Sequence, residues 1–286
     1  MRLPPFTLHR PRELGELLEL LARYGDDAAV YMGGTELLLI MKLGFAEPGH
    51  LVDAKSIPEL GELHVSADRL AIGAGVTHRR IERHHDVQRA LPVLVDLERR
   101  IANVRVRNAG TLGGNLCFAE PHSDPATLLT ALDAEVELAG PAGRRRLAVA
   151  DFILGALSTA LDPGEVLTHV HVPVPGPDTL VGYERIVFTE RPAATVAVVR
   201  GPAGARVVVG ALGPRPMRVP HAEMRLVEDD IDAAVEATSS AVADTDTEPG
   251  ADYRAHLAGV LLRRAWSAAT ANALSVPGAA APTKQG

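Results

Sequence analysis

Asn108-Ala109-Gly110-Thr111-Leu112-Gly113-Gly114-Asn115-Leu116-Cys117-Phe118-Ala119-Glu120-Pro121-His122-Ser123-Asp124 is the stretch on which the reading of this chain turns. Gly110, Gly113 and Gly114 allow a tight turn and a close approach to another group. Thr111, Asn115 and Ser123 add hydroxyl and amide groups. Exposed backbone amides beside such small side chains suit a diphosphate. The same residues would also make a plain glycine-rich turn between two elements. Ser123 or Asp124 can cap a helix that begins at Pro125.

A second glycine pair lies about eighty residues upstream. The segment 28–32 reads as a short strand, Gly33-Gly34-Thr35-Glu36 follows, and 37–42 is apolar enough for a buried helix. Strand, paired glycines, hydroxyl and helix start form another possible phosphate cradle. A tight strand-to-helix turn is the plainer alternative.

Around these two motifs the chain alternates helices and strands. Leucines at helical spacing predict a helix over 13–24, stopped by Gly25. Strands are predicted over 51–53, 69–74, 134–139, 144–149 and 165–173. Helices are predicted over 79–85, 91–100 and 126–132, with a short one starting at Asp151. Pro173-Val174-Pro175-Gly176-Pro177 marks a boundary, because prolines interrupt ladders and stiffen linkers. Beyond it, strands over 180–188, 194–200 and 205–212 precede helices over 231–242 and 253–271. That order suggests an antiparallel sheet with helices on one face. The end, 275–286, reads as a frayed tail.

Composition narrows the function classes. The 286 residues are 47% hydrophobic with a net charge of -7, a profile without the basic excess of a nucleic-acid binder. No apolar run is long enough to span a bilayer, and the N-terminus lacks the apolar core of a secretion signal. Cys117 is the single cysteine. An intrachain disulfide and a cysteine-held cluster on this chain alone are therefore excluded, and the cytoplasm is the default compartment. A buried structural thiol is its simplest role. Arg99, Arg100, Arg105 and Arg107 bring positive charge close to the opening stretch, either as solvated surface or as a phosphate partner.

Taken together, the two motifs resemble those of the FAD-binding (medium) subunit of the molybdenum hydroxylase family, which includes xanthine and carbon monoxide dehydrogenases. The resemblance rests on Met32-Gly33-Gly34-Thr35-Glu36-Leu37 with Met41-Lys42-Leu43-Gly44. It rests also on Val106-Arg107-Asn108 running into Thr111-Leu112-Gly113-Gly114-Asn115, with Asp124 downstream. Tyr183-Glu184-Arg185 with Arg191-Pro192-Ala193-Ala194, and Tyr253-Arg254 with the helix after it, complete it.

What the resemblance implies is an α+β chain in four parts. A two-part FAD-binding module of the PCMH type would occupy 1–55 and 56–175. An antiparallel sheet packed with helices would occupy 178–275, and a flexible tail 276–286. It implies FAD held by Val30, Tyr31, Met32, Gly33, Gly34, Thr35, Glu36 and Leu37, and by Thr111, Leu112, Gly113, Gly114 and Asn115. Ile101 and Leu167 would pack on the cofactor, and Asp124 would hydrogen-bond it. Arg185 falls where several relatives carry lysine near the flavin; Arg and Lys are not interchangeable, but a cation there would still favour reduced flavin. Glu36 would turn away from the diphosphate, towards ribose or backbone amides.

The implied function is electron transfer from [2Fe–2S] clusters of a small partner subunit, through FAD, to an external acceptor. Substrate would be oxidised at a molybdopterin cofactor in a large partner subunit, within a dimer of heterotrimers in the cytoplasm. A stand-alone FAD oxidase or reductase on a similar two-cradle fold is the alternative. It would need its own base, for which His78, His122 and His169 are candidates without context. A scaffold that has lost its flavin is a third reading, and the intact glycine pairs oppose it.

Overall fold

A computed structural model describes residues 3–188, 191–245 and 250–274. The tail expected at 276–286 lies outside the described residues.

The first unit is small and parallel. Strand β1 (Thr7–His9), helix α1 (Leu14–Tyr24), strand β2 (Ala28–Tyr31), helix α2 (Leu37–Lys42) and strand β3 (His50–Asp53) form a three-stranded sheet in the order β1-β3-β2. Parallel pairing requires a crossover, and α1 and α2 with their loops supply it. The buried stripe of α1 is Leu17 and Leu21, as the leucine spacing predicts.

The second unit is built on an antiparallel sheet. Strands β4 (Leu63–Val65) and β5 (Arg69–Gly73) are followed by helices α3 (His78–Glu82), α4 (His85–Ala90), α5 (Pro92–Arg99), α6 (Val104–Ala109), α7 (Leu112–Phe118) and α8 (Asp124–Ala131). Strands β6 (Glu135–Gly140) and β7 (Gly143–Ala148) return as a hairpin. A short helix α9 (Val149–Phe152) and a two-stranded ribbon, β8 (Ile153–Gly155) and β9 (Ser158–Thr159), lead to β10 (Val166–Pro173). The strand order is β4-β5-β10-β6-β7. The segment read as one helix over 79–85 is divided, because the chain leaves helical geometry at Arg83 and restarts at His85.

The third unit is a four-stranded antiparallel sheet, β11 (Leu180–Val187), β12 (Pro192–Gly201), β13 (Gly204–Gly210) and β14 (Met217–Arg218), followed by α10 (Pro220–Val227), α11 (Ile231–Thr245) and α12 (Ala251–Leu274). Alternation along its strands serves two cores. Val196, Val198, Val207 and Val209 face the helices of this unit. Ala197, Val199 and Val208 join the core of the second unit.

Helix α8 lies in the second unit's core, packed against β12 and β13 of the third, and every one of its residues is buried. Its sequence, Asp-Pro-Ala-Thr-Leu-Leu-Thr-Ala, is short-chained and mostly apolar, with Asp124, Thr127 and Thr130 buried among the rest. Thr127 and Thr195 satisfy each other across this junction at 2.9 Å. Gly210 is required there, since a Cβ on it would stand 1.9 Å from the Thr127 hydroxyl. Helix α8 begins at Asp124 and has no side-chain cap. The cap predicted at Ser123 or Asp124 is absent because both side chains are used elsewhere.

Candidate functional site

The two glycine motifs meet. Gly33 lies so close to the second motif that a Cβ on it would stand 2.1 Å from the Ala109 carbonyl oxygen and 2.9 Å from the Gly110 Cα. Gly113 is pressed on β5's exit in the same way, 2.5 Å from the Ala74 Cβ. Gly34 has φ +68°, which glycine adopts without strain, and this turns the chain into α2.

The motifs do different jobs. The second one is not a loop. It ends α6 and opens α7, and Thr111 caps α7 by accepting from the Gly114 amide at 3.0 Å. Most of its other amides are also taken: Gly110 donates to Val106, Leu112 to Val76, Gly113 to Ala74 and Asn115 to Thr111. The expectation of free amides from Thr111 to Asn115 is therefore corrected for Leu112 to Asn115, whereas the Thr111 amide has no protein acceptor among the described residues. Among the described residues, the amides of Gly33, Gly34, Thr35 and Glu36 have no protein acceptor. Free donors are concentrated in the first motif, and the second supplies a small, close-fitting wall.

Between them opens a cavity of about 460 Å³, within the range of small-molecule sites. Val30, Met32, Gly33, Gly34, Thr35, Glu36 and Leu37 line it from one side. Thr111, Gly113, Gly114, Asn115 and Asp124 line it from the other, and Ile101, Leu167 and Arg185 complete the wall. Tyr31 and Leu112 do not line it. Tyr31 packs under the Lys55 ammonium, 3.7 Å from its ring centre, and Leu112 points into the core. Leu167 is brought to the wall next to a bulge in the β10–β6 pairing.

A charged rim edges the cavity. Arg191 bonds Glu36 of the first motif at 3.1 Å and Glu120 beyond the second at 2.6 Å. Glu36 here turns to a guanidinium. Burial alone would raise Glu120, but hydrogen bonds from His122 and Arg191 outweigh it and hold the carboxyl below its usual range. Arg99, Arg100, Arg105 and Arg107 do not line the cavity. Arg107 pairs with Glu82 and Arg99 with Asp96, both nearby partners. The cations at the wall are instead Arg185, as the resemblance implies, and Arg191.

Asp124 forms the floor of a buried network. Tyr183 donates to its Oδ1 and Arg185 to its Oδ2, each at 2.5 Å, and Arg185 also donates to the Arg100 carbonyl. Burial pushes Asp124 upward, and Arg185 and Tyr183 only partly offset this. Ser123 donates to the Asn115 side-chain oxygen at 2.6 Å, tying α8 to α7. Cys117 also touches the cavity; desolvation pushes its thiol up to about 12, so it is not a thiolate at neutral pH. Of the three candidate bases, His122 is bonded to Glu120 at 2.9 Å and His78 to Glu98, while His169 lies on β10 away from the cavity wall. Among the described residues, no group of three or more His, Cys, Asp or Glu is placed to hold a metal ion.

Comparison with known proteins assigns the class. Residues 4–175 match the family described as the FAD binding domain in molybdopterin dehydrogenase. Residues 202–269 match the CO dehydrogenase flavoprotein C-terminal domain. The carbon monoxide dehydrogenase medium chain of Afipia carboxidovorans is 33% identical, over 94% of this chain and 98% of that one. Caffeine dehydrogenase subunit beta of a Pseudomonas species is 30% identical, over 93% of this chain and 95% of that one. Among solved structures, a carbon monoxide dehydrogenase from Hydrogenophaga pseudoflava superposes with a TM-score of 0.88 at 33% identity, covering 95% of this chain and 99% of that chain. Quinoline 2-oxidoreductase from Pseudomonas putida gives 0.88 at 29%, covering 96% and 100%.

The chain belongs to the molybdenum hydroxylase family as an FAD-binding medium subunit. Its homologues are FAD-dependent oxidoreductase subunits that work within multi-subunit complexes. No described helix is long and apolar enough to cross a membrane.

Proposed function

We propose that this subunit holds FAD in the cavity between its two glycine motifs and relays electrons between an iron–sulfur partner and an external acceptor. The observation that carries this reading is the contact of Gly33 with Ala109, which brings the two motifs together at the cavity. The site fits the cofactor: open space over Gly114, free amides at Gly33 to Glu36, and apolar walls at Ile101 and Leu167. When bound, FAD supplies the electron-transfer chemistry, and the chain's task is to bind and orient it.

In this reading the diphosphate lies on the amides of residues 33–36, with Thr111 to Asn115 closing the opposite side. Val30, Met32 and Leu37 shape the entry beside it, and Tyr31 and Leu112 support the cradles from behind. Ile101 and Leu167 pack on the flat rings. Asp124, fixed by Tyr183, and Arg185 form the polar end of the pocket. The binding module divides at about residue 55, with 1–55 and 56–175 as its halves and 178–275 as the C-terminal domain.

The partners in this proposal are a small subunit carrying [2Fe–2S] clusters and a large subunit carrying molybdopterin, assembled as a dimer of heterotrimers in the cytoplasm. A single cysteine leaves this chain unable to ligate a cluster by itself. The test is co-purification from the native host with metal and flavin analysis. Molybdenum, iron and FAD travelling with this chain support the proposal. A flavin-bearing chain that migrates alone and turns over an organic substrate would overturn it in favour of a stand-alone oxidase or reductase.

A further inference from the structure

His78 lies at the junction of the two motifs. Its side chain is 4% exposed and its Nδ1 stands 2.7 Å from Oε2 of Glu98, whose side chain is 0% exposed. The other oxygen of Glu98 has no partner. The imidazole lines the cavity, and Nε2 makes no hydrogen bond to any described residue.

The ring's place is fixed by the cradles. The His78 amide donates to the Gly110 carbonyl at 3.1 Å. A Cβ on Gly110 would stand 3.2 Å from His78 Cδ2, the carbon bonded to Nε2, and 3.3 Å from the Thr35 hydroxyl oxygen. His78, Thr35 and Gly110 therefore converge on one spot where first and second motif touch.

The ring has two distinct ends. Nδ1 faces the Glu98 carboxyl, and Nε2 is left for the cavity. An imidazole held between a carboxyl group and a phosphate can donate through both nitrogens. On the packed helices Arg79 and Arg107 share Glu82, and Arg99 bonds Asp96, so none of these cations pairs with Glu98. Donors are few at this side, because the second motif's amides from Leu112 to Asn115 are bonded within the protein.

We propose that His78, set by Glu98, is a further cofactor-binding residue whose Nε2–H donates to a phosphate oxygen of the bound dinucleotide at the junction of the two motifs. This rests on the placement of FAD given under Proposed function.

The test uses the full chain, freed of flavin and titrated with FAD, in wild type, His78→Leu and His78→Gln. Affinity is read from quenching of flavin fluorescence, and contact from the phosphorus NMR spectrum of bound FAD. His78→Leu is expected to weaken FAD by about tenfold or more, the loss of a hydrogen bond to a charged group. His78→Gln keeps an N–H donor and is expected to restore affinity to within about threefold while shifting one phosphorus resonance. Unchanged affinity in His78→Leu overturns the inference, and so does an unchanged phosphorus spectrum in His78→Gln. The second result decides even if the leucine variant does not fold. Wild type that takes up no FAD would instead overturn the placement of the cofactor itself.

Discussion

Gly33 and Ala109, 76 positions apart in the chain, are packed backbone to backbone, with no room for a single methyl group between them. That contact sets the distance between the two cradles. Gly33→Ala is expected to lower stability by about 1–3 kcal/mol, since overpacking must move one motif off the other. FAD affinity should fall with it. Thermal unfolding of the apo chain together with FAD titration checks both, and a variant with wild-type values in each would show the contact to be incidental.

Gly114 tests the cavity rather than the contact. Nothing but the Thr111 hydroxyl lies within 4 Å of a Cβ placed there, and the rest of that space is open to the cavity. Gly114→Val is expected to fold yet abolish flavin retention, because a branched side chain would fill the space a diphosphate needs. Flavin extracted in wild-type amount from that variant would count against the proposed site.

Arg191 neutralises two carboxylates that face the cavity, Glu36 and Glu120. Its side chain is 44% exposed, so the ion pairs contribute little to stability. Arg191→Ala is expected to leave the unfolding temperature nearly unchanged. FAD should dissociate several-fold faster, since Glu36 would lose its partner and Glu120 would keep only His122, leaving more negative charge to repel the diphosphate. Release followed by flavin fluorescence measures this, and an unaltered rate would remove Arg191 from the binding account.

The Asp124 network behaves differently because it is buried. Arg185→Ala strands a desolvated carboxylate and is expected to cost about 3–5 kcal/mol. Asp124→Asn in the same background should recover part of that loss. Its pH dependence has a definite sign. The folded-state value of Asp124 is raised, so its contribution is most favourable below the ordinary aspartate range and declines as pH rises through the raised value. Unfolding of the two variants side by side, across that range, tests both statements.

How much of this was legible in the sequence can be judged residue by residue. The leucine stripe of α1 carries its period openly, and β12 and β13 read as short apolar runs because both their faces are buried; the elements match. Fifteen of the 17 residues singled out as cofactor contacts line the cavity, because the glycine motifs are local patterns. The rim was less legible. Arg191 meets Glu36 across 155 positions, and no local spacing encodes such a pair. Asp124 before Pro125 has the pattern of a helix cap, but Tyr183 and Arg185 claim its carboxylate from a different unit. Gly113 reads as a turn residue, whereas it lies in the first turn of a helix and is small because Ala74 is pressed on it.

Glu137 provides a test away from the site. Burial would raise it, but hydrogen bonds from Arg146, Arg144 and His171 bring it from 4.5 down to about 2. A depressed carboxylate stabilises the fold above its unfolded value, and that contribution is lost as pH falls from 4.5 towards about 2. Glu137→Gln should therefore destabilise the chain at neutral pH and flatten its acid unfolding in this window. An acid limb as steep as the wild type's would contradict this.

The most direct measurement is a crystal structure of the chain with FAD bound. The diphosphate is predicted to lie within hydrogen-bonding distance of the amides of Gly33 to Glu36, with Thr111 to Asn115 on its other side. A diphosphate that touches only one motif, or lies outside the cavity, would contradict the account.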